Sequence, residues 1–103
     1  MNYPQILMNT DYLKILTGPS GSKSQIKKME FVLDFNQFRD IIGIEIINLK
    51  FEVGERSLIQ IEKNMRVGDS IRYSYDEDSD AFYMKLADGP SSDQEAVLGE
   101  LII

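Results

Sequence analysis

Residues 73–89 read YSYDEDSDAFYMKLADG, and this stretch is the clearest structural unit in the sequence. Apolar residues occupy every second position on both sides of its acidic segment, at Tyr73, Tyr75, Phe82, Met84 and Leu86. A period of two is typical of strands that have one buried and one exposed face. The sequence therefore predicts a β-hairpin whose turn is formed by the acidic residues.

A second segment with a related pattern lies earlier in the chain. A constant offset along the chain aligns two sets of identical residues: Tyr12, Lys14, Gly18, Pro19 and Ser20 align with Tyr83, Lys85, Gly89, Pro90 and Ser91. After a small shift in register, residues 25–33 match residues 94–102. In both segments a glycine and a proline follow the strand, which ends the ladder of backbone hydrogen bonds.

We interpret this similarity as a tandem repeat of two related β units within one compact domain. The first unit spans residues 1–48, a connection spans residues 49–69, and the second unit spans residues 70–103. The second unit is incomplete, because the apolar strand at residues 41–47 has no counterpart before the sequence ends. Unless the sequence is shortened there, we expect another part of the fold or another molecule to fill that place. An unfilled edge at Leu101 and Ile103 would invite association.

The connection between the units allows two interpretations. Leu58, Ile61 and Met65 would share one face of a helix, whereas Ile59 and Ile61 would alternate with polar residues in a strand. The β-branched isoleucines slightly favour the strand. With a short edge strand expected at residues 3–8, the sequence predicts a mainly β fold. Its antiparallel sheet is built from two related hairpin or meander units, with at most one short helix in the connection.

Composition restricts the possible functions. The 103 residues include no histidine and no cysteine, which removes Ser-His-Asp triads, imidazole ligands, thiolate sites and disulfides. The net charge is −6, and residues 76–103 contain eight Asp or Glu residues against one Lys. Such an acidic surface repels phosphate backbones, so we predict no nucleic-acid partner. No apolar run is long enough to span a membrane and no secretory signal is evident, so we expect a cytoplasmic protein without membrane contact.

The acidic turn is the first candidate binding site. Asp76, Asp78 and Asp80 alternate like the first ligands of a calcium loop, but Ala81 and Ala87 stand where such a loop has glycine and glutamate. We therefore interpret these side chains as caps for backbone amides, with a weak cation site as the alternative.

The aromatic residues of the hairpin are the second candidate. Tyr73, Tyr75 and Tyr83 offer a stacking platform with Phe82, although their acidic neighbours favour packing in the core and across strands. These tyrosines, the three aspartates of the turn, Leu101 and Ile103 are the candidate binding residues. We predict no catalytic residue, metal ligand or cofactor.

Residues 75–86 also resemble the opening motif of an uncharacterised bacterial small-protein family, domain of unknown function 2283. Residues 31–35 and 41–46 resemble its two closing strands, although residues 36–40 lack the glycine that its turn usually carries. The resemblance implies a small antiparallel sheet of bacterial origin with no established activity. Some relatives accompany small toxin-like proteins, which implies a partner-binding role by analogy.

These observations predict a non-enzymatic protein-interaction module. Two roles fit this prediction: an acidic binding partner and an antitoxin-like accessory protein. The expected partner is a second copy in a homodimer or a small basic protein. Strand addition at an open C-terminal edge would supply the binding energy through backbone hydrogen bonds. Binding of a small ligand or a cation is the alternative.

Overall fold

The computed structural model describes residues 4–9, 12–19, 25–66 and 72–103. Within these residues the chain forms seven strands and two helices. The strands are β1 (Gln5–Met8), β2 (Leu13–Leu16), β3 (Ile26–Phe35), β4 (Ile41–Ile47), β5 (Arg72–Asp76), β6 (Ala81–Lys85) and β7 (Asp93–Ile102). The helices are α1 (Leu49–Val53) and α2 (Glu55–Arg66). The prediction of a mainly β fold is confirmed, as is the hairpin at β5 and β6. The expectations for Tyr3, Ser20 and residues 67–71 lie outside the described residues.

All seven strands belong to one sheet with the order β1-β2-β7-β3-β4-β6-β5. Five of its six neighbouring pairs are antiparallel, but β2 and β7 run parallel, with Leu13 opposite Gly99 and Leu16 opposite Ile102. The prediction of a wholly antiparallel sheet is therefore wrong at this pair. The two strands are far apart in the sequence, so no tight turn forces them to run in opposite directions.

The two predicted units are interleaved in this sheet. Strand β7 of the second unit lies between β2 and β3 of the first, and β4 of the first unit pairs with β6 of the second. Strands of the first predicted unit therefore flank β7 on both sides. The tandem repeat itself stays a prediction.

The C-terminal strand is not an edge of the sheet. Strand β7 pairs with β2 on one side and with β3 along its whole length on the other, from Asp93 to Ile102. Leu101 is completely buried, and Ile103 exchanges backbone hydrogen bonds with Gln25. The expected open edge at Leu101 and Ile103 is therefore wrong. The outermost strands are β1, which confirms the expected edge strand over its described residues, and β5.

The connection is helical, which corrects the preference for a strand and the limit of one short helix. Leu58, Ile61 and Met65 are buried on one face of α2, whereas Ile59 is 48% exposed. The helical period of the buried positions thus prevails over the β propensity of isoleucine. Gly54, at φ 87°, separates α2 from α1 in a conformation that glycine adopts without strain.

The hydrophobic core lies on one face of the sheet, which we call the inner face. Paired inner-face residues include Phe31 with Ile46 and Phe82 with Ile46, all of them fully buried. The buried face of α2 belongs to the same apolar cluster. The opposite, outer face carries Asp34, Glu45 and Tyr83 at alternate strand positions. None of the described helices is long and apolar enough to cross a membrane.

Candidate interaction surface

The acidic turn connects the hairpin to helix α1 through Asp80. The Asp80 carboxylate accepts hydrogen bonds from the backbone amides of Lys50 (2.8 Å) and Phe51 (3.0 Å) and from the hydroxyl of Tyr75 (2.7 Å). Asn48, which occupies the N-cap position of α1, makes no side-chain capping bond. Asp80 therefore caps this helix from a distant part of the chain.

These contacts also determine the ionisation of both side chains. Burial by itself raises the pKa of the Asp80 carboxyl, but the hydrogen bonds from Phe51, Tyr75 and Lys50 outweigh it, and the pKa lies below its usual value. The hydrogen bond to Asp80 is the main cause that raises the pKa of Tyr75 to about 12. Near neutral pH the Asp80 carboxylate is therefore charged and accepts the hydrogen bond, and the Tyr75 hydroxyl is neutral and donates it. These ionisation states favour a hydrogen bond that stabilises the fold.

Asp76 and Asp78 form a local turn. The backbone amide of Asp78 donates a hydrogen bond to the Asp76 carboxylate at 3.1 Å. This bond supports the interpretation that the acidic side chains cap backbone amides. Within the described residues, no group of three Asp, Glu or other metal-binding side chains is placed to hold a metal ion.

Tyr73 and Tyr75 pack on the inner face. The ring of Tyr73 stacks on Phe82 with centroids 5.3 Å apart and planes at 7°, and Tyr75 lies 6.3 Å from the same ring at 42°. The two tyrosine rings pack against the Phe82 ring, which is completely buried. This geometry favours the packing interpretation over an open stacking platform.

Tyr83 belongs to a polar cluster on the outer face that the sequence analysis did not predict. Its hydroxyl donates to the carboxylate of Asp34 at 2.9 Å, and the same carboxylate accepts hydrogen bonds from Gln94 (2.6 Å) and Ser91 (3.4 Å). Asp34 is only 6% exposed. Burial and then this hydrogen bond raise the pKa of Tyr83 to about 12. The sequence signal was a single aspartate inside the apolar run FVLDF.

The two free edges of the sheet differ in charge. Strand β5 carries Arg72 and Asp76 at its ends, and Arg72 is paired with Asp88. Strand β1 has the uncharged sequence QILM, in which Leu7 is 55% exposed and Met8 is 50% exposed. Charged side chains are a common protection of edge strands against pairing with other chains. Strand β1 lacks this protection.

The hydrogen bonds of the first hairpin show which backbone groups of β1 face outward. The amide of Asn9 donates to the carbonyl of Tyr12 at 3.1 Å, so these two residues form a hydrogen-bonded pair. Such pairs alternate along an antiparallel ladder, which makes Leu7 with Lys14 the next one. The N–H and C=O groups of Ile6 and Met8 therefore point away from β2, toward the open side.

An apolar groove adjoins this edge. It has a volume of about 410 Å³, and its lining is mostly apolar, with Met8, Leu33, Phe35 and Val97, but it also includes the charged side chain of Glu95. The guanidinium of Arg39 lies 4.4 Å from the centre of the Phe35 ring. Open backbone groups and apolar side-chain space therefore occur together around Met8.

The candidate residues thus fall into separate places. Tyr73, Tyr75 and Asp80 meet around the second hairpin, Tyr83 lies on the outer face, and Leu101 and Ile103 lie away from both edges. The open edge of β1 was not among the predicted binding residues, although its uncharged run of four residues was a usable signal. No protein-family model, curated protein or solved structure matches the chain. The resemblance to domain of unknown function 2283 stays a prediction.

Proposed function

We propose that this protein is a non-enzymatic protein-interaction module that binds an extended segment of a partner at the open edge of β1. The observation that carries the proposal is the uncharged edge strand with the outward-facing backbone groups of Ile6 and Met8. Strand addition at such an edge gains affinity from backbone hydrogen bonds and specificity from alternate side chains.

The chemistry of the buried carboxylates supports a non-enzymatic role. Asp34 and Asp80 are both engaged by hydroxyl and amide donors. Every buried side-chain nitrogen and oxygen of the described residues has a hydrogen-bond partner. The sequence has no histidine and no cysteine that could act together with these carboxylates.

The partner segment is expected to be apolar at alternate positions and free of acidic residues. Alternate side chains of an added strand would lie on the side of the apolar groove beside Met8. A basic or neutral segment also suits a chain with a net charge of −6.

The test is a selection of peptides from a random phage-displayed library, followed by NMR mapping of the bound peptide. We expect uncharged or basic peptides with alternating apolar residues, which shift the amide signals of Ile6 and Met8. Met8→Pro should weaken binding by at least about tenfold, because it removes an outward N–H group. Met8→Ala is the matched control, because it loses the same side chain but keeps the N–H group, and it should bind clearly more tightly than Met8→Pro.

Two outcomes would contradict the proposal. In one, the selected peptides shift signals of the acidic turn and leave those of β1 unchanged. In the other, Met8→Pro binds the peptides as tightly as Met8→Ala. Either result would show that the free backbone groups of β1 are not the docking site.

The apolar groove supports a second candidate function, the binding of a small apolar ligand. Its volume of about 410 Å³ lies in the range of small-molecule sites. A fluorescent anilinonaphthalene sulfonate dye should bind saturably to the wild type and to the control Ile47→Glu, but not to Val97→Glu, which places a second carboxylate in the groove beside Glu95. Equal dye binding by all three proteins would reject this candidate.

A further inference from the structure

We propose that the strand received by the open edge is β1 of a second copy of this chain. The two strands pair antiparallel about a two-fold axis at Leu7. This inference rests on the proposed function, because it names the occupant of the edge described above. A two-fold dimer of this kind continues the seven-stranded sheet of one copy into that of the other.

The direction of the backbone groups selects the register. In an antiparallel pair, the residues that exchange hydrogen bonds must both face the other strand. Only Ile6 and Met8 do so within β1. Pairing Ile6 with the partner's Met8, and Met8 with the partner's Ile6, uses all of these groups at once.

The neighbouring registers leave groups unpaired. A dimer centred on Ile6 would place Met8 opposite the partner's Pro4, which has no N–H group to donate. A dimer centred on Met8 would place Ile6 beyond the end of the partner strand. The register centred on Leu7 is therefore the self-complementary one.

The distribution of charge allows two acidic chains to meet at this edge. Strand β1 carries no charged residue, and the charged side chain of its neighbour β2 is the cation Lys14. The acidic turn after β5 lies at the other end of the sheet, with five strands between the two edges. Pairing through β1 thus keeps the acidic turns of the two copies away from the contact.

The exposed side chains of β1 add apolar contact to the backbone hydrogen bonds. Leu7 is 55% exposed and would face the partner's Leu7 directly, while Met8 is 50% exposed. A contact between two strands of four residues is small, and interfaces below about 1,200 Å² are typical of transient complexes. We therefore expect a reversible dimer whose population rises with protein concentration.

The first experiment introduces one cysteine into a chain that has none. In the proposed register Leu7 and the partner's Leu7 form a non-hydrogen-bonded pair, with Cα atoms about 4.5 Å apart. A disulfide requires a Cα separation of roughly 4.4–6.8 Å. Leu7→Cys should therefore form a covalent dimer under mild oxidation, whereas Ser74→Cys, on the other edge strand, should stay monomeric.

The second experiment measures absolute mass by light scattering from low to high micromolar protein. The wild type should approach twice the mass of a single chain, and Met8→Ala, which keeps the outward N–H group but shortens a contact side chain, should dimerise more weakly than the wild type and more strongly than Met8→Pro. Met8→Pro should remain monomeric, because proline removes the outward N–H group while the hydrogen bonds between β1 and β2 stay intact. A circular dichroism spectrum like that of the wild type would show that Met8→Pro is folded.

The inference is overturned if the wild type stays monomeric at every concentration and Leu7→Cys does not cross-link. It is also overturned if Ser74→Cys cross-links and Leu7→Cys does not, which would place the dimer contact at β5. The peptide selection separates this failure from failure of the proposed function. A monomeric chain that still binds selected peptides at Ile6 and Met8 retains its interaction role and loses only the second copy as partner.

Discussion

At the scale of single residues, Gly43 shows how an apolar sheet accommodates the buried carboxylate of Asp34. Gly43 lies opposite Asp34 in the neighbouring strand, and a Cβ atom there would collide with the hydroxyl of Tyr83. The missing side chain leaves room for Tyr83 to reach Asp34 across β4. A glycine in an apolar strand was visible in the sequence, but its partner on a third strand was not.

Tyr83→Phe tests this contact by its dependence on pH. The folded-state pKa of Tyr83 is about 12, against about 10 in an unfolded chain. The stability from the neutral hydroxyl is therefore complete below pH 10 and is lost as the pH rises from 10 to 12. The variant should be less stable at pH 8 by about 1–3 kcal/mol, since a buried acceptor loses a donor.

Denaturant unfolding from pH 8 to 12 measures the effect. The wild type should lose stability over this interval, and Tyr83→Phe should lose less of it, while Tyr75 retains its own contribution in both proteins. Parallel stability curves for the two proteins would contradict the assignment.

Asp80 offers a second test at this scale because its backbone is left-handed, at φ 52°. Asparagine tolerates this conformation and keeps one acceptor oxygen, whereas alanine provides neither advantage. Asp80→Ala should lose about 2–4 kcal/mol of unfolding free energy, from a lost helix cap and a strained backbone, and Asp80→Asn clearly less. Losses of less than about 0.5 kcal/mol for both variants in urea unfolding at pH 7 would show that the capping bonds to Lys50 and Phe51 do not stabilise the fold.

The same carboxylate gives a pH dependence at the acid end. Because its pKa is lowered in the folded state, its contribution is present above the unfolded value of about 3.9 and is lost as the pH falls below that value. Asp80→Asn should not show this component. The sequence predicted capping by the turn but not these partners, since Asp80 and Lys50 are separated by 30 positions.

At the scale of secondary-structure elements, the period of two in the sequence predicted most strands. The favoured element was wrong where a helical pattern and a strand pattern overlapped. In the connection both a helical and a strand pattern were present, and the helix formed because one of its faces reaches the core. The parallel pairing of β2 with β7 could not be predicted, because it joins segments from opposite ends of the chain. The same pairing converts the expected C-terminal edge into an interior strand.

Two isoleucines of helix α2 would share one face in a strand but differ in burial in the helix. We therefore expect their truncation to alanine to change stability by different amounts. Ile61 is 1% exposed and Ile59 is 48% exposed. Ile61→Ala should cost about 2–5 kcal/mol of unfolding free energy, as buried truncations do. Ile59→Ala should stay within about 0.5 kcal/mol of the wild type. Similar losses for both variants in urea unfolding would contradict the helical face.

The parallel pair depends on Gly99, where a Cβ atom would lie 2.5 Å from the backbone carbonyl oxygen of Leu13 and 2.9 Å from the Phe31 ring. A backbone atom cannot rotate away, so Gly99→Ala should separate β2 from β7 and cost about 1–3 kcal/mol or more. Leu98→Ala, at a neighbouring position that is 75% exposed, is the control and should have little effect. A fully stable Gly99→Ala protein in denaturant unfolding would argue against close contact of the two strands.

At the scale of the whole molecule, the sheet has a charged edge at one end and an uncharged edge at the other. Most of the excess negative charge lies in the C-terminal part of the sequence, yet the edge without charged side chains is the strand QILM near the start. Which strand becomes an edge depends on the order of all seven strands, and local patterns do not contain that order. The period of two predicted strands, whereas the location of the uncharged edge required the topology.

Amide hydrogen exchange at Ile6 and Met8, measured by NMR over a range of protein concentrations, tests whether two copies pair through β1. Both amides should exchange rapidly in dilute solution and become protected as the two copies pair through β1. The amide of Leu7, which bonds within the hairpin, should be protected more uniformly and serves as the internal control. Rapid exchange at Ile6 and Met8 at every concentration, with Leu7 protected, would show that the edge of β1 remains free.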